Sequence, residues 1–190
     1  WELKKTESID VMDAIGSNIR VDTYGWEVKR ILPRINEDIN EEWISDKTRF
    51  SYDGLKRQRI DRPYIKKDGA LQEATWEEAI DVISQQFKHL RPEEIGAIAG
   101  TLVDCETMQA FKLLLNKIGC SNIDANQFNY FIDSTHRANY VFNSGVKGIE
   151  TAELCILVGA NPRHASAVLN ARIGQMVRAG RLKVARLGAS

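Results

Sequence analysis

Cysteine is scarce in this 190-residue sequence: Cys105, Cys120 and Cys155 are odd in number, far apart and form no C-x-x-C pair. That argues against a disulfide framework. It leaves two readings, small buried hydrophobes in a reducing compartment or three ligands of one metal site. Histidine is equally scarce. His89, His136 and His164 have no partner at ligand spacing, and the sequence assigns none of them to catalysis. Net charge is absent too, with 26 basic against 26 acidic side chains, so no global field draws in nucleic acid or an anionic membrane. No apolar run approaches the roughly 20 residues of a membrane span. No signal-peptide pattern opens the chain. Neither G-x-G-x-x-G nor a Walker sequence occurs. There is no initiator methionine. The chain opens on Trp1 and closes on Ser190 directly after an expected strand, so the expectation is a piece of a longer polypeptide.

What is present is a hydrophobic fraction of 43%, enough for a core. The organising stretch is Leu154–Arg163. Its five leading apolar residues read as a strand buried on both faces, as in a helix-covered parallel sheet. Gly159 allows a tight turn, and Asn161 and Pro162 read as the N-cap and first residue of a helix. Ala165, Leu169, Ile173, Met176 and Val177 follow at helical spacing, Gly180 is the stop signal, and Leu182–Leu187 is the next strand. This is a βαβ unit, with its turn at the end of the sheet where such folds place ligands. One glycine makes a poor pyrophosphate cradle, so the turn Gly159–Pro162 is expected to hold at most an adventitious anion.

Upstream, residues 1 to about 62 carry no long helical pattern. Asn18–Asp22 and Trp26–Leu32 alternate around a turn at Thr23–Gly25, which predicts a β-hairpin. Trp43 is the expected anchor of the stretch from Asn36 to Arg49, and Asp53–Gly54 marks a further turn. Lys56–Lys67 is rich in Lys and Arg. It reads either as a solvated connector or as a docking surface for an acidic partner.

A domain boundary is expected near Pro63–Gly69. Beyond it, Thr75 and Glu78 form a capping box for a helix whose apolar stripe is Ala79, Ile80, Ile83, Phe87 and Leu90. Ile95–Ala99 is a short buried strand. Asp104 caps a second helix with core face Met108, Phe111, Leu114 and Leu115, ended by Gly119. Ser121–Asp124 is a short strand, and Asp133 or Ser134 caps a short helix through Tyr140. Gly145–Gly148 is a loop.

Two segments resemble the molybdopterin-oxidoreductase superfamily. In that family the N-terminal β-rich part holds a 4Fe–4S cluster through C-x2-C-x3-C and a later fourth cysteine. Here Asp10, Asp13 and Ser17 stand at the triple, and Ser45 stands at the fourth position, ahead of Lys47–Phe50. The buried strand followed by Gly159–Pro162 is the second segment. Trp1–Ala14, Trp26–Arg34, Glu37–Phe50 and Tyr52–Arg59 resemble more narrowly the large peripheral-arm subunit family (75-kDa type, designated G in bacteria) of proton-translocating NADH:quinone oxidoreductase, respiratory complex I.

The resemblance implies an α/β fold: residues 1–62 as a degenerate 4Fe–4S β domain, then residues 63–190 as the first part of a mostly parallel, helix-covered α/β domain. It implies a scaffold in the electron-transfer arm with no catalytic, cofactor-binding or metal-binding residues of its own. The 2Fe–2S and 4Fe–4S clusters of the family lie upstream of Trp1. Implied partners are the other peripheral-arm subunits, including the flavoprotein subunit, with no nucleic acid and no direct membrane span. The implied location is peripheral, on the cytoplasmic side of the bacterial inner membrane or the mitochondrial matrix side. Asn122–Glu153 holds no cysteine at the position of a molybdenum ligand. The other readings are an active molybdopterin-dependent oxidoreductase and a nucleotide-binding α/β domain. With no thiolate at positions 10, 13, 17 and 45, those loops are expected to be closed by hydrogen bonds, and at least one aspartate is expected to meet Lys47 or Arg49.

Overall fold

The computed structural model describes residues 1–125 and 132–188. It divides into two compact units, residues 1–58 with 133–190, and residues 59–132.

The first unit opens with an antiparallel sheet of three strands, β1 (Lys4–Ile9), β2 (Asn18–Tyr24) and β3 (Glu27–Pro33), in that order. The expected hairpin is β2–β3. Gly25 turns it at φ 57°, a conformation glycine adopts without a side-chain clash. The register shifts between Asp22 and Thr23, which leaves Lys29 without a partner across the ladder. Asp22 is fully buried there and receives Arg20 Nε at 2.8 Å and Arg30 Nε at 2.7 Å. β1 was not expected from the sequence, because Lys4–Ser8 carries no apolar alternation and the strand lies exposed.

After β3 the chain is held by a polar residue, not by the expected Trp43, which is 55% exposed. Asn40 is fully buried. Its Oδ1 accepts from Asn18 N at 2.9 Å, and its Nδ2 donates to the carbonyls of Arg34 (3.0 Å) and Trp43 (3.1 Å). An amide can satisfy several orphan backbone groups in one loop, and an indole cannot. Helix α1 (Asp46–Phe50) follows, capped by Ser45, and leads into a 3-10 turn over Ser51–Lys56 that contains Asp53 and Gly54.

The second unit starts with a hairpin that the sequence pattern did not predict, β4 (Tyr64–Lys67) with β5 (Ala70–Glu73), turned by Asp68 and Gly69 at φ 51° and 81°. Helix α2 (Trp76–His89) carries the expected capping box: Thr75 Oγ1 accepts from Glu78 N at 3.2 Å, and Glu78 Oε2 accepts from Thr75 N at 2.9 Å. Two short parallel strands, β6 (Ala97–Ile98) and β7 (Ile123–Asp124), flank helix α3 (Cys105–Lys117), which Asp104 caps through Thr107 N at 2.7 Å. The core is Ile95, Leu115 and Cys120, with Phe87, Ala97, Phe111 and Ile118 packed on it. The expected burial is corrected at several positions: Ile80, Ile83 and Leu90 of the α2 stripe are exposed, as are Ile98 and Leu114. The two-stranded β6–β7 ribbon is too narrow to cover both helix faces.

The first unit resumes with the βαβ element. Strand β8 (Leu154–Val158) pairs in parallel with β9 (Lys183–Leu187). The expected single helix is two: α4 (Pro162–Ala165) and α5 (Ala167–Arg178), broken at Ser166 with φ −154° and ψ 67°. Gly180 ends the second at φ 71°. The core is Ile149, Ile173 and Leu182, with Ala152, Cys155, Leu169 and Met176 packed on it. The expectation that β8 is buried on both faces is overturned. Leu154, Ile156 and Val158 are 54%, 60% and 66% exposed. α5 covers one face of this two-stranded ribbon, and nothing among the described residues of the unit covers the other. Asp133 does not cap a helix. It accepts from Thr135 N at 3.0 Å in a local turn, and only a 3-10 turn, Arg137–Asn139, follows His136.

Candidate functional site

The four positions that carry the cluster resemblance come together. Asp10 N donates to the Ser17 carbonyl at 2.8 Å and closes residues 10–17 into one loop. Inside it, Asp10 Oδ1 accepts from Met12 N at 2.8 Å, Asp13 Oδ1 accepts from Ile15 N at 3.1 Å, and Ser17 Oγ donates to Asp13 Oδ2 at 3.3 Å. Both aspartates act as short-range caps for backbone amides, as Asp does in turns. Across the gap, Ser45 Oγ accepts from Thr48 N at 3.1 Å as the N-cap of α1. Asp10, Ser17, Ser45 and Thr48 are all buried.

Thr48 is the residue that sequence reasoning missed. Its Oγ1 donates to Asp10 Oδ2 at 2.5 Å and lies 2.8 Å from Ser45 Oγ. The directions follow from the donor inventory. A carboxylate can only accept, so Thr48 donates to Asp10. Its one proton is then committed, so Ser45 donates to Thr48. The expected cation is corrected: among the described residues no ion pair reaches Asp10 or Asp13 from Lys47 or Arg49. Lys47 is exposed and Arg49 half-buried, and both flank the N3 position of α1. Only N3, which is Thr48, points back over the N-cap. The spacing Ser45-x2-Thr48 was the available signal.

The loop 10–17 also reaches the βαβ element. Ala14 N donates to the Ala165 carbonyl at 3.0 Å, at the break between α4 and α5. Nearby, Arg172 is 2% exposed. Its Nη1 donates to Glu150 Oε1 at 2.7 Å, and its Nη2 donates to the Glu37 carbonyl at 2.9 Å and meets Glu41 Oε1 at 3.2 Å. Lys147 Nζ pairs with Asp38 Oδ1 at 2.8 Å at the surface. This contact holds the Asp38 carboxyl below its usual range and the Lys147 ammonium above its own. These bonds fasten the loop Asn36–Glu41 to α5 and to the 3-10 turn Lys147–Thr151 that precedes β8. Arg172 lies three residues from Leu169 on the buried stripe of α5, which was a legible sign that it is paired.

The turn after β8 is a strand-to-helix turn. Gly159, at φ 59°, donates its N to the Leu187 carbonyl at 2.8 Å, and Asn161 Oδ1 accepts from Arg163 N at 3.2 Å. The helix it starts is a single turn. The three histidines lie on different elements: His89 ends α2, His136 precedes a 3-10 turn, and His164 lies in α4. Among the described residues no three His, Cys, Asp or Glu side chains come together as a metal-binding group. Cys105 is exposed, Cys120 buried and Cys155 half-buried, all as free thiols. In the second unit a groove of about 430 Å³ opens at the end of β6 between Ile98, Val103, Phe111 and Leu114. Thr107 is its one hydroxyl and no charged side chain lines it. Among the described residues no helix is long and apolar enough to cross a membrane.

The loop 10–17 thus faces the capped helix α1 and is tied to the βαβ element. The family model described as molybdopterin oxidoreductase matches residues 59–190, and the chain belongs to that family. Residues 3–53 match the model described as NADH-ubiquinone oxidoreductase NDSU1/NuoG-like, 4Fe-4S domain. More particularly, the chain is similar to the NADH-quinone oxidoreductase subunit designated G in Rickettsia bellii, 58% identical over 188 residues, which is 99% of this chain and 28% of that protein. The same subunit in Rickettsia felis is 60% identical over the same shares. The NADH dehydrogenase [ubiquinone] iron-sulfur protein 1, mitochondrial, of Solanum tuberosum is 50% identical over 189 residues, 99% of this chain and 26% of that protein. The chain thus spans little more than a quarter of these relatives.

The 4Fe–4S cluster named by the second family model does not fit the residues present. Such clusters are held by thiolates. Here the four positions offer carboxylate and hydroxyl oxygens, and the Thr48 oxygen occupies the gap between the first and the fourth.

Proposed function

We propose that this chain is a scaffold segment of the large peripheral-arm subunit of NADH:quinone oxidoreductase, with no redox centre of its own. The observation that carries the reading is the oxygen-only set Asp10, Asp13, Ser17 and Ser45, closed on itself where the family binds its cluster. Identity of 50–60% across 99% of the chain supports the assignment to that subunit. In this reading the parent subunit carries its 2Fe–2S and 4Fe–4S clusters outside residues 1–190, on the route that takes electrons from NADH to quinone. Residues 1–62 form the degenerate cluster domain and residues 63–190 the first part of the α/β domain, a division supported by the two family matches at 3–53 and 59–190.

The chain contributes packing surfaces to neighbouring peripheral-arm subunits, the flavoprotein subunit among them. It lies peripherally on the bacterial cytoplasmic or mitochondrial matrix face of the inner membrane. No residue of the chain serves as a catalytic group, cofactor ligand or metal ligand, and the turn Gly159–Pro162 is a structural turn.

The test is metal analysis and electron paramagnetic resonance of the natural full-length protein in its complex, with and without Asp10→Ala and Ser45→Ala. The expected result is iron accounted for entirely by the other clusters, no molybdenum, and cluster signals unchanged by either substitution. Molybdenum near stoichiometry would favour an active molybdopterin-dependent oxidoreductase. An iron signal lost on either substitution would sink the scaffold reading.

A further inference from the structure

We infer that Thr48 structurally replaces the cluster: its one hydroxyl, donating to Asp10 and accepting from Ser45, is the cross-link that a cluster would otherwise supply between the loop 10–17 and α1. The inference deepens the reading of residues 10–48 as a cluster fold without its cluster, and it rests on that reading. A metal in a small loop-rich domain closes segments that have too little apolar surface to hold each other. The same problem is visible here. Ile9, Val11 and Met12 are exposed around the buried Asp10, so the loop has little hydrophobic contact to fix it.

The remaining bonds of the loop do not solve it. Asp10 N to the Ser17 carbonyl closes the loop on itself, as do the bonds of Asp13 to Ile15 N and Ser17 Oγ. Ala14 N fastens the loop to Ala165. Among the described residues, the bond that ties the loop to α1 is Thr48 Oγ1 to Asp10 Oδ2, between residues 38 apart in sequence. It joins the position of the first family cysteine to the helix that the fourth one begins.

Chemistry also explains why threonine suffices. The chain of donors runs one way, Ser45 to Thr48 to Asp10, so each bond polarises the next and ends on a carboxylate, where hydrogen bonds are strongest. Met12 N supplies the second donor to that carboxylate. The charge is thus held by directed donors in place of a cation. A cluster and the Thr48 oxygen cannot share this gap, because Thr48 lies within hydrogen-bond distance of both flanking positions. The lock is therefore independent of metal, oxygen and redox potential.

The test is backbone amide exchange on the natural full-length protein. Thr48→Val keeps the β-branched shape and removes the hydroxyl. It is expected to speed exchange of the amides of residues 10–17 and of the first turn of α1 by roughly ten- to hundredfold, the usual consequence of leaving a buried partner unsatisfied. Thr48→Ser restores most of the protection. A chelator leaves exchange unchanged in every case. If Thr48→Val does not fold, Ser45→Ala gives the graded version, with a smaller acceleration at the same amides. Unchanged exchange in Thr48→Val, or in Ser45→Ala where that is the variant measured, overturns the inference. So does loosening of the loop by chelator in the unsubstituted protein. The metal analysis keeps the two ideas separate: normal cluster signals with unchanged exchange refute the role of Thr48 alone, and loss of an iron signal in Thr48→Val refutes the scaffold reading.

Discussion

Arg172 is a buried cation that ties separate segments of the first unit together. The guanidinium is 2% exposed and serves three acceptors: Glu150 Oε1 at 2.7 Å, the Glu37 carbonyl at 2.9 Å and Glu41 Oε1 at 3.2 Å. Breaking a buried pair by deleting one partner costs about 3–5 kcal/mol when the other charge is left buried. Here the two carboxylates keep 36% and 28% of their side-chain exposure, so water can reach them, which moves the expectation to the lower end. The Glu37 carbonyl and the lost packing of the aliphatic stem act in the opposite sense. Arg172→Ala is therefore expected to destabilise the protein by about 3 kcal/mol, a fall in melting temperature of roughly 6–12 °C for a chain of this size. Arg172→Met keeps the stem and is expected to cost about half as much. The assay is urea unfolding followed by far-ultraviolet circular dichroism, with amide exchange at Asn18 and Ile173 to locate the loss. The change should fall only in part with added salt, because the guanidinium is buried while both carboxylates are partly exposed. A change below about 0.5 kcal/mol for Arg172→Ala would refute the claim that this residue fastens the Asn36–Glu41 loop to α5.

The Asp22 carboxyl lies below its ordinary range, foremost through the hydrogen bond from Arg20, with burial opposing and Arg30 adding to the depression. A lowered folded pKa gives stability that is complete above the unfolded value of about 3.9 and is lost as pH falls through the folded one. Asp22→Asn should accordingly reduce stability at neutral pH and flatten the acid limb of an unfolding profile. An unchanged acid limb would contradict the assignment. Thr75→Ala removes half of the capping box on α2 and should cost about 1 kcal/mol, seen as faster amide exchange at Glu78; equal exchange rates would count against it. Gly188→Ala places a Cβ 3.3 Å from Gly159 Cα at a φ of 143°, a region open essentially to glycine alone. A loss of about 1–3 kcal/mol is expected in thermal unfolding, and a neutral substitution would show that the two strand ends can part freely.

The sequence by itself determined the local elements whose causes are local. The hairpin at Gly25, the capping box at Thr75 and Glu78, the cap at Asp104, the turn at Gly159–Asn161 and the stop at Gly180 each depend on a side chain and backbone amides within a few residues. The resemblance to a cluster-binding family brought positions 10, 13, 17 and 45 to notice, and the fold places them together. What sequence could not decide is which groups meet across long separations. Thr48 reaches Asp10 over 38 residues, and Arg172 reaches Glu37 over 135, so neither contact leaves a periodic trace. Charge proximity along the chain pointed to Lys47 and Arg49, but helix geometry turns the intervening Thr48 inward. Apolar runs identified β8 as a strand buried on both faces and the α2 stripe as one buried helix face. Burial is a property of what lies opposite, and two-stranded ribbons leave Ile156, Val158, Ile80 and Ile83 facing outward. Asn40 shows the same limit from the other direction: an ordinary loop asparagine in the sequence becomes fully buried only because Asn18, Arg34 and Trp43 bring unpaired backbone groups to it.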